Sequence, residues 1–419
     1  MKLDALSQSE LERIEHAGGT DLVVGLLDAK FAEQRDATLA MARDAVAGLP
    51  RIGRAVVVCN NGAHAPQTAN LEEPSTTESP VILFCDLSPS NERAGPGNIA
   101  HAWRNVFALG EKLDARACTV IASQAQGTTA EWIHRLVRPI VDLGFDLVAP
   151  RYTRHRMEGL LNRSILSPLY RALYGEQLQN PLGPDFGLSR KLVQRIPDRD
   201  SGVQPGDDTS IVASIASVAA CGGFQICESH LGARVQAPID WMNLSSLLAQ
   251  ILGPVFLDME RQAAAWQRIR GSKPAPGFGA AENVAAETSH SDVQQMIDSF
   301  RIGVQNLEEI WGIVLPPTTL LELRKLSRLP PNGFRMPDEL WVRIVYDFAL
   351  GHRLRTINRD HLLRSITPLY LGWIASWALE MDTAGPAQID AGTERLAATF
   401  ETSKPYLVSR WRWPDRFNP

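Results

Sequence analysis

The sequence predicts an α/β protein: a mostly parallel sheet covered by helices, followed by an all-α C-terminal region. Short β-branched runs alternate with amphipathic helical patterns through the first part of the chain. The stretch from Asp114 to Ser189 repeats the order strand, loop, helix before a Gly-rich turn. From Ser291 onward only helical periodicity remains. These observations divide the chain into an α/β domain over 1–270 and a helical domain over 271–419. The Pro/Gly-rich stretch Arg270–Gly279 is the linker or long loop where they join.

Residues 8–17 read as a short helix with Ser9 as a cap, and Asp21–Leu27 as the first strand. Thr38–Ala47 is amphipathic, with Leu39, Ala42, Ala45 and Val46 on one face. Ala55–Cys59 is the next strand, followed by the loop Asn60–His64 and a polar Ser/Thr/Pro-rich loop over 67–80. Val81–Cys85 is the third strand; Arg93–Asn98 then leads into a helix over 99–113. Cys118–Ala122 is the fourth strand, and Thr129 is placed to cap a helix beginning at Ala130. Phe145–Ala149 is the fifth, ending at Pro150 before the polar cluster Arg151–Arg156. A helix over 209–221, a strand beginning at Phe224 and a long helical pattern over 243–269, broken near Gly253-Pro254, complete the first domain. Helices are expected at 291–313, 318–327, 337–349, 359–380 and 388–402. Their Trp311, Trp341, Trp373 and Trp377 recur at helical spacing and read as core.

In open α/β sheets ligands sit beyond the carboxyl ends of the strands. The loops after Ala122, Ala149 and Asn180 are therefore where a site belongs. Their residues carry a resemblance. The order Glu131-Trp132-Ile133, Gly144–Pro150, Tyr152-Thr153-Arg154-His155, Pro168–Gly175 and Pro181–Gly187 resembles glycosyltransferases of the GT-A fold, a Rossmann-like architecture. It is similar above all to bacterial family-2-like enzymes akin to those making glucosyl- or mannosyl-glycerate. The resemblance covers about residues 20–415 and is specific through 130–190. It implies a nucleotide-sugar donor and a small anionic acceptor.

The departures from that pattern matter as much. The resemblance implies Mg²⁺ or Mn²⁺ held by a D-x-D pair of carboxylates at a strand end. Counting back from Glu131, those positions fall on Ala122, Ser123 and Gln124. A histidine ligand of the family falls at Gln236, and a diphosphate-binding lysine falls at Pro96. Proline removes both the cation and an N–H donor. The expected set of metal ligands in this chain is therefore none. Donor contacts implied by the resemblance are Asn61, where the family carries an aspartate, with Gly95, Gly97, Ser123 and Gln124; Arg93 is the candidate to replace the missing lysine's charge. Gly95-Pro96-Gly97 reads rather as a helix-entry turn than as a phosphate cradle, and His64 as a solvated loop side chain.

On the acceptor side, the resemblance assigns Asp185 and Asp208 as the catalytic carboxylates. It assigns Arg154, His155, Gly183 and Asp185 to acceptor binding. Each carries a plainer reading. Asp185 and Asp208 suit helix N-termini, and the Arg151–Arg156 cluster suits a solvated basic loop.

Composition bounds the alternatives. The chain has 419 residues, of which 44% are hydrophobic and 21% charged, enough for two packed cores. A net charge of −5 gives no electrostatic footprint for nucleic acid. The cysteines Cys59, Cys85, Cys118, Cys221 and Cys227 contain no C-x-x-C pair, which points to free thiols in a reducing compartment. No signal peptide is visible, and Leu369–Leu379 is about half the length of a membrane span. A cytoplasmic protein is expected, with the helical tail offering apolar faces for a homodimer.

Three readings stay open. One is a sugar transferase working without the usual metal. Another is a catalytically inactive pseudo-glycosyltransferase acting as a binding or regulatory partner of an active paralogue. The last is a different α/β enzyme, although neither a G-x-G-x-x-G after the first strand nor a P-loop is present.

Overall fold

Leu22–Leu26 forms β1, a strand of five buried residues in the interior of an eight-stranded sheet. Such an unbroken apolar run fits a parallel strand covered on both faces. The other strands are β2 (Arg54–Asn60), β3 (Val81–Leu87), β4 (Ala117–Ile121), β5 (Leu147–Thr153), β6 (Glu176–Gln177), β7 (Asp185–Ser189), β8 (Ile226–Ala233), β9 (Lys273–Pro274) and β10 (Gly277–Phe278). The sheet order is β10-β8-β5-β7-β4-β1-β2-β3. All its pairings are parallel except those of β7, which runs antiparallel between β4 and β5. The structure is a computed structural model that describes residues 19–28, 33–60, 81–87, 96–122, 127–196, 210–234, 243–280 and 292–414, with residues 12 and 31 besides.

Three helices fix the layers: α1 (Arg35–Ala47), α2 (Pro96–Lys112) and α3 (Ala130–Leu143). Ala42 and Val46 of α1 and Ile133, Leu136 and Val137 of α3 share one core with Leu22, Val24, Val148 and Tyr152. On the opposite face Trp103 of α2 meets Phe186 of β7 edge-on, with centroids 6.0 Å apart. The approach of α3 to β7 depends on Gly187. A Cβ there would lie 2.1 Å from the Leu136 carbonyl oxygen, so only glycine fits.

The chain divides into two compact units. The first comprises Met1–Thr153, Asn180–Ala237 and Ala275–Asn283; the second comprises Arg154–Gln179, Pro238–Pro274 and Val284–Pro419. The segments 154–179 and 238–274 thus belong with the C-terminal helices.

The second unit is helical apart from the short β6–β9 pairing. Its core is aromatic. Trp341 stacks on Trp373 and Trp373 on Trp377, with centroids 6.1 and 5.5 Å apart. Trp341 donates through Nε1 to the Ser164 carbonyl inside a π-helical turn, Asn162–Leu166. Trp311 is also buried, so the tryptophans expected in the core lie there.

Several boundaries differ from the sequence reading. The pattern over 359–380 is two helices, Arg359–Ser365 and Thr367–Glu380, because Pro368 opens a new helix where its missing N–H is harmless. The pattern over 291–313 breaks at Leu307. Leu244–Arg261 runs through Pro254, then gives way to a separate short helix, Ala263–Trp266. Of the short helix expected over 8–17 only residue 12 is described, and the loop over 67–80 lies outside the described residues. Among the described residues, no helix is long and apolar enough to cross a membrane.

Candidate functional site

At the carboxyl end of the first unit's sheet several buried polar groups meet. β4 ends at Ile121, which pairs with Asp185, the first residue of β7. The next residue, Ala122, donates its backbone N–H to Asp185 Oδ1 at 3.0 Å. Tyr152, near the end of β5, donates its hydroxyl to Asp185 Oδ2. Asp185 has no exposed surface and Tyr152 is 2% exposed. A buried carboxylate survives only when hydrogen bonds replace its water, and here each oxygen has a donor. The expectation that Asp185 could cap a helix gives way to this placement at a strand start.

Tyr152 is held in turn by its neighbours. Trp132 of α3 lies 6.0 Å from its ring. On the side of β8, Arg234 places its guanidinium carbon 5.5 Å from the Tyr152 centroid. A β-bulge makes this meeting. The β5–β8 register shifts between Arg151 and Tyr152, so that Tyr152 pairs with Gly232 rather than Leu231.

β5 is longer than the sequence suggested because Pro150 does not end it. The pairing of β5 with β7 covers only Leu147 and Val148. At Pro150 the carbonyl is taken instead by Asn180 Nδ2 at 3.0 Å. The proline's missing N–H therefore breaks no ladder there. Gly183 packs against the same residue: a Cβ at Gly183 would fall 2.2 Å from Pro150 Cγ. The Pro181–Gly187 motif thus turns tightly over the end of β5 and delivers Asp185 into the sheet.

A second polar group lines the β5–β8 edge. Arg151 pairs with His230 in the register, and its guanidinium lies 4.0 Å from the buried Glu228 carboxylate. Arg135 of α3 donates to the His230 carbonyl at 2.6 Å. Burial first, then Arg151 and Arg135, hold the His230 imidazole below its ordinary value.

The predicted site residues are distributed as follows. Asp185 and Gly183 meet at this strand end. Gly97 lies in the first turn of α2, which begins at Pro96. Arg154 and His155 belong to the second unit, where the Arg154 guanidinium packs over Gly159 and the His155 N–H donates to Glu158 Oε2 at 3.0 Å. Asn61, Arg93, Gly95, Ser123, Gln124, Asp208 and Gln236 lie outside the described residues. Thr129 takes the N-cap position of α3, without a side-chain hydrogen bond to the helix.

The sequence reading did not single out Tyr152, Asn180 or Arg234. Each sits in or beside a quoted motif, but their roles arise from strands about 30–80 residues apart. Among the described residues no cluster of three or more His, Cys, Asp or Glu side chains could hold a metal ion. At Ala122 the methyl side chain offers no ligand atom; the other positions aligned with the metal motif lie outside the described residues.

No family model matches the chain, and no curated protein gives a significant match. Solved structures do. Glucosyl-3-phosphoglycerate synthase from Mycobacterium tuberculosis, in complex with Mn²⁺, UDP and glucosyl-3-phosphoglycerate, is 17% identical, with a TM-score of 0.37 over 61% of this chain and 84% of that one. The same synthase with Mn²⁺, UDP-glucose and phosphoglyceric acid is 17% identical, with a TM-score of 0.36 over 61% and 84%. A further structure of it is 18% identical, with a TM-score of 0.37 over 60% and 84%. At this identity and overlap no residue role is transferred from them.

Proposed function

We propose that this chain is a glycosyltransferase-like protein that binds a nucleotide-sugar and a small anionic acceptor without the usual metal. The observation that carries the reading is the hydrogen bond from Ala122 N–H to Asp185. It joins the strand end where the family pattern has its metal carboxylates to the loop where that pattern has its acceptor residue. Two motifs far apart in sequence meet at the carboxyl end of one α/β sheet, where ligands bind in such folds.

Without metal carboxylates, charge on a departing diphosphate has to be met by fixed cations and N–H donors. The N-terminus of α2, with the Gly97 N–H in its first turn, is suited to that work. Arg93, Asn61, Ser123 and Gln124 complete the donor side of the proposal, and Asp208 its acceptor side. Arg154 and His155 would serve an anionic acceptor as charge-assisted donors.

A second reading is favoured by Asp185 itself. Both of its oxygens are already engaged by Tyr152 and Ala122, which suits a structural carboxylate in an inactive relative that still binds ligand. Transfer separates the readings. The protein is incubated with UDP-, GDP- and ADP-sugars and glycerate or phosphoglycerate in EDTA, and products are followed by mass spectrometry. A glycosylated acceptor supports the first reading. Binding of donor with no product supports the second.

A further inference from the structure

We propose that Arg234 is a phosphate-binding group of this site, presenting its guanidinium to the anionic part of the ligand where the family pattern uses a divalent cation. The inference rests on the nucleotide-sugar reading for its ligand, but its geometry stands alone. Arg234 follows the last residue of β8, at the carboxyl end of the sheet. Its guanidinium lies over the face of Tyr152, 5.5 Å from the centroid. The Tyr152 hydroxyl is tied to Asp185, and Asp185 to the Ala122 N–H. The arginine is thereby positioned by a buried chain that reaches the aligned metal strand end.

What the chain does not give Arg234 is an anion. Arg151 has Glu228 and Arg135 has Glu131. Among the described residues Arg234 has the Tyr152 ring and neither a hydrogen-bond nor an ion-pair partner, and its Nε is buried and unpaired. A guanidinium carries five N–H donors in a flat fork that matches two oxygens of a phosphate. A buried N–H without an acceptor is costly and rare in folded proteins, and calls for an absent partner. The cation–π contact with Tyr152 restrains the guanidinium, which lowers the entropy lost when an oxyanion docks. Asp185 accepts from Tyr152 and Ala122, and among the described residues no ion pair joins it to Arg234.

Inorganic pyrophosphate is the probe, titrated calorimetrically in EDTA into wild type, R234K and R234Q, with UDP-sugar, GDP-sugar and ADP-sugar titrated in parallel. Wild type is expected to bind pyrophosphate. R234Q is expected to lose about tenfold or more, the scale of one charge-assisted hydrogen bond, and R234K to recover part of it. Thermal unfolding of each variant controls for folding. The affinity of R234Q for uridine, which has no phosphate, should stay that of wild type. Equal pyrophosphate affinity in wild type and R234Q, or no binding by wild type, overturns the assignment. Pyrophosphate binding lost in R234Q with no nucleotide-sugar bound by wild type keeps the phosphate site and removes the glycosyltransferase reading. Nucleotide-sugar binding unchanged in R234Q does the reverse.

Discussion

The Tyr152 hydroxyl donates to Asp185, and this buried pair joins the end of β5 to the start of β7. Tyr152→Phe keeps the ring and its contacts with Trp132 and Arg234 but leaves one carboxylate oxygen without its donor. The variant should lose about 1–3 kcal/mol of stability in urea unfolding, the cost of a buried unsatisfied group. An unchanged unfolding midpoint would mean that Asp185 finds another donor.

Asp185→Ala tests whether the same carboxylate also serves the ligand. Sugar or acceptor affinity should fall in the variant. If affinity holds while stability drops, Asp185 is a strut between strands and not a ligand contact.

Aspartates placed at Ala122 and Gln124 together should give measurable Mn²⁺ affinity by calorimetry, since carboxylate oxygens at that strand end suit a hard divalent ion. No gain in affinity counts against the alignment of this strand end with the metal motif.

Gly187→Ala should destabilise the protein by about 1–3 kcal/mol, because the new Cβ meets the Leu136 carbonyl of α3. Gly277→Ala is the control: a Cβ there meets nothing within 4 Å, so the change should stay within about 0.5 kcal/mol. Urea denaturation of both variants checks the pair.

His352 predicts a pH dependence in the second unit. Burial, then Arg359 and Arg355, hold its imidazole down from 6.5 to about 3. Between those values the unfolded chain binds the proton and the folded one does not. Stability from this group is therefore present above pH 6.5 and is lost on acidification toward pH 3, by at most about 1.4 kcal/mol per pH unit. The difference in unfolding free energy between wild type and His352→Phe across that range should show this slope; a pH-independent difference contradicts it.

Much of this was legible in sequence where one element decides its own fate. The all-apolar β1 run, the amphipathic stripe of α3 and the spacing of Trp341, Trp373 and Trp377 each fixed burial without tertiary information. The site was legible only in part. Asp185 and Gly183 were found through their motif, whereas the partners of Asp185 come from other strands. Tyr152 reaches it because β7 inserts antiparallel between β4 and β5, and Arg234 reaches Tyr152 because a bulge shifts the β5–β8 register. Neither event has a local signature. Pro150 even misled, since a proline reads as a strand end unless its open side faces a loop such as the one holding Asn180.

The most direct test is a thermal-shift panel of UDP-, GDP- and ADP-sugars against the purified protein, each in EDTA and in Mn²⁺. A ligand at about 100 times its dissociation constant adds roughly 2.7 kcal/mol, well within reach of such a panel. A metal-independent donor site gives a shift with one nucleotide-sugar that is the same in EDTA as in Mn²⁺. No shift with any donor, or a shift that appears only with Mn²⁺, would contradict it.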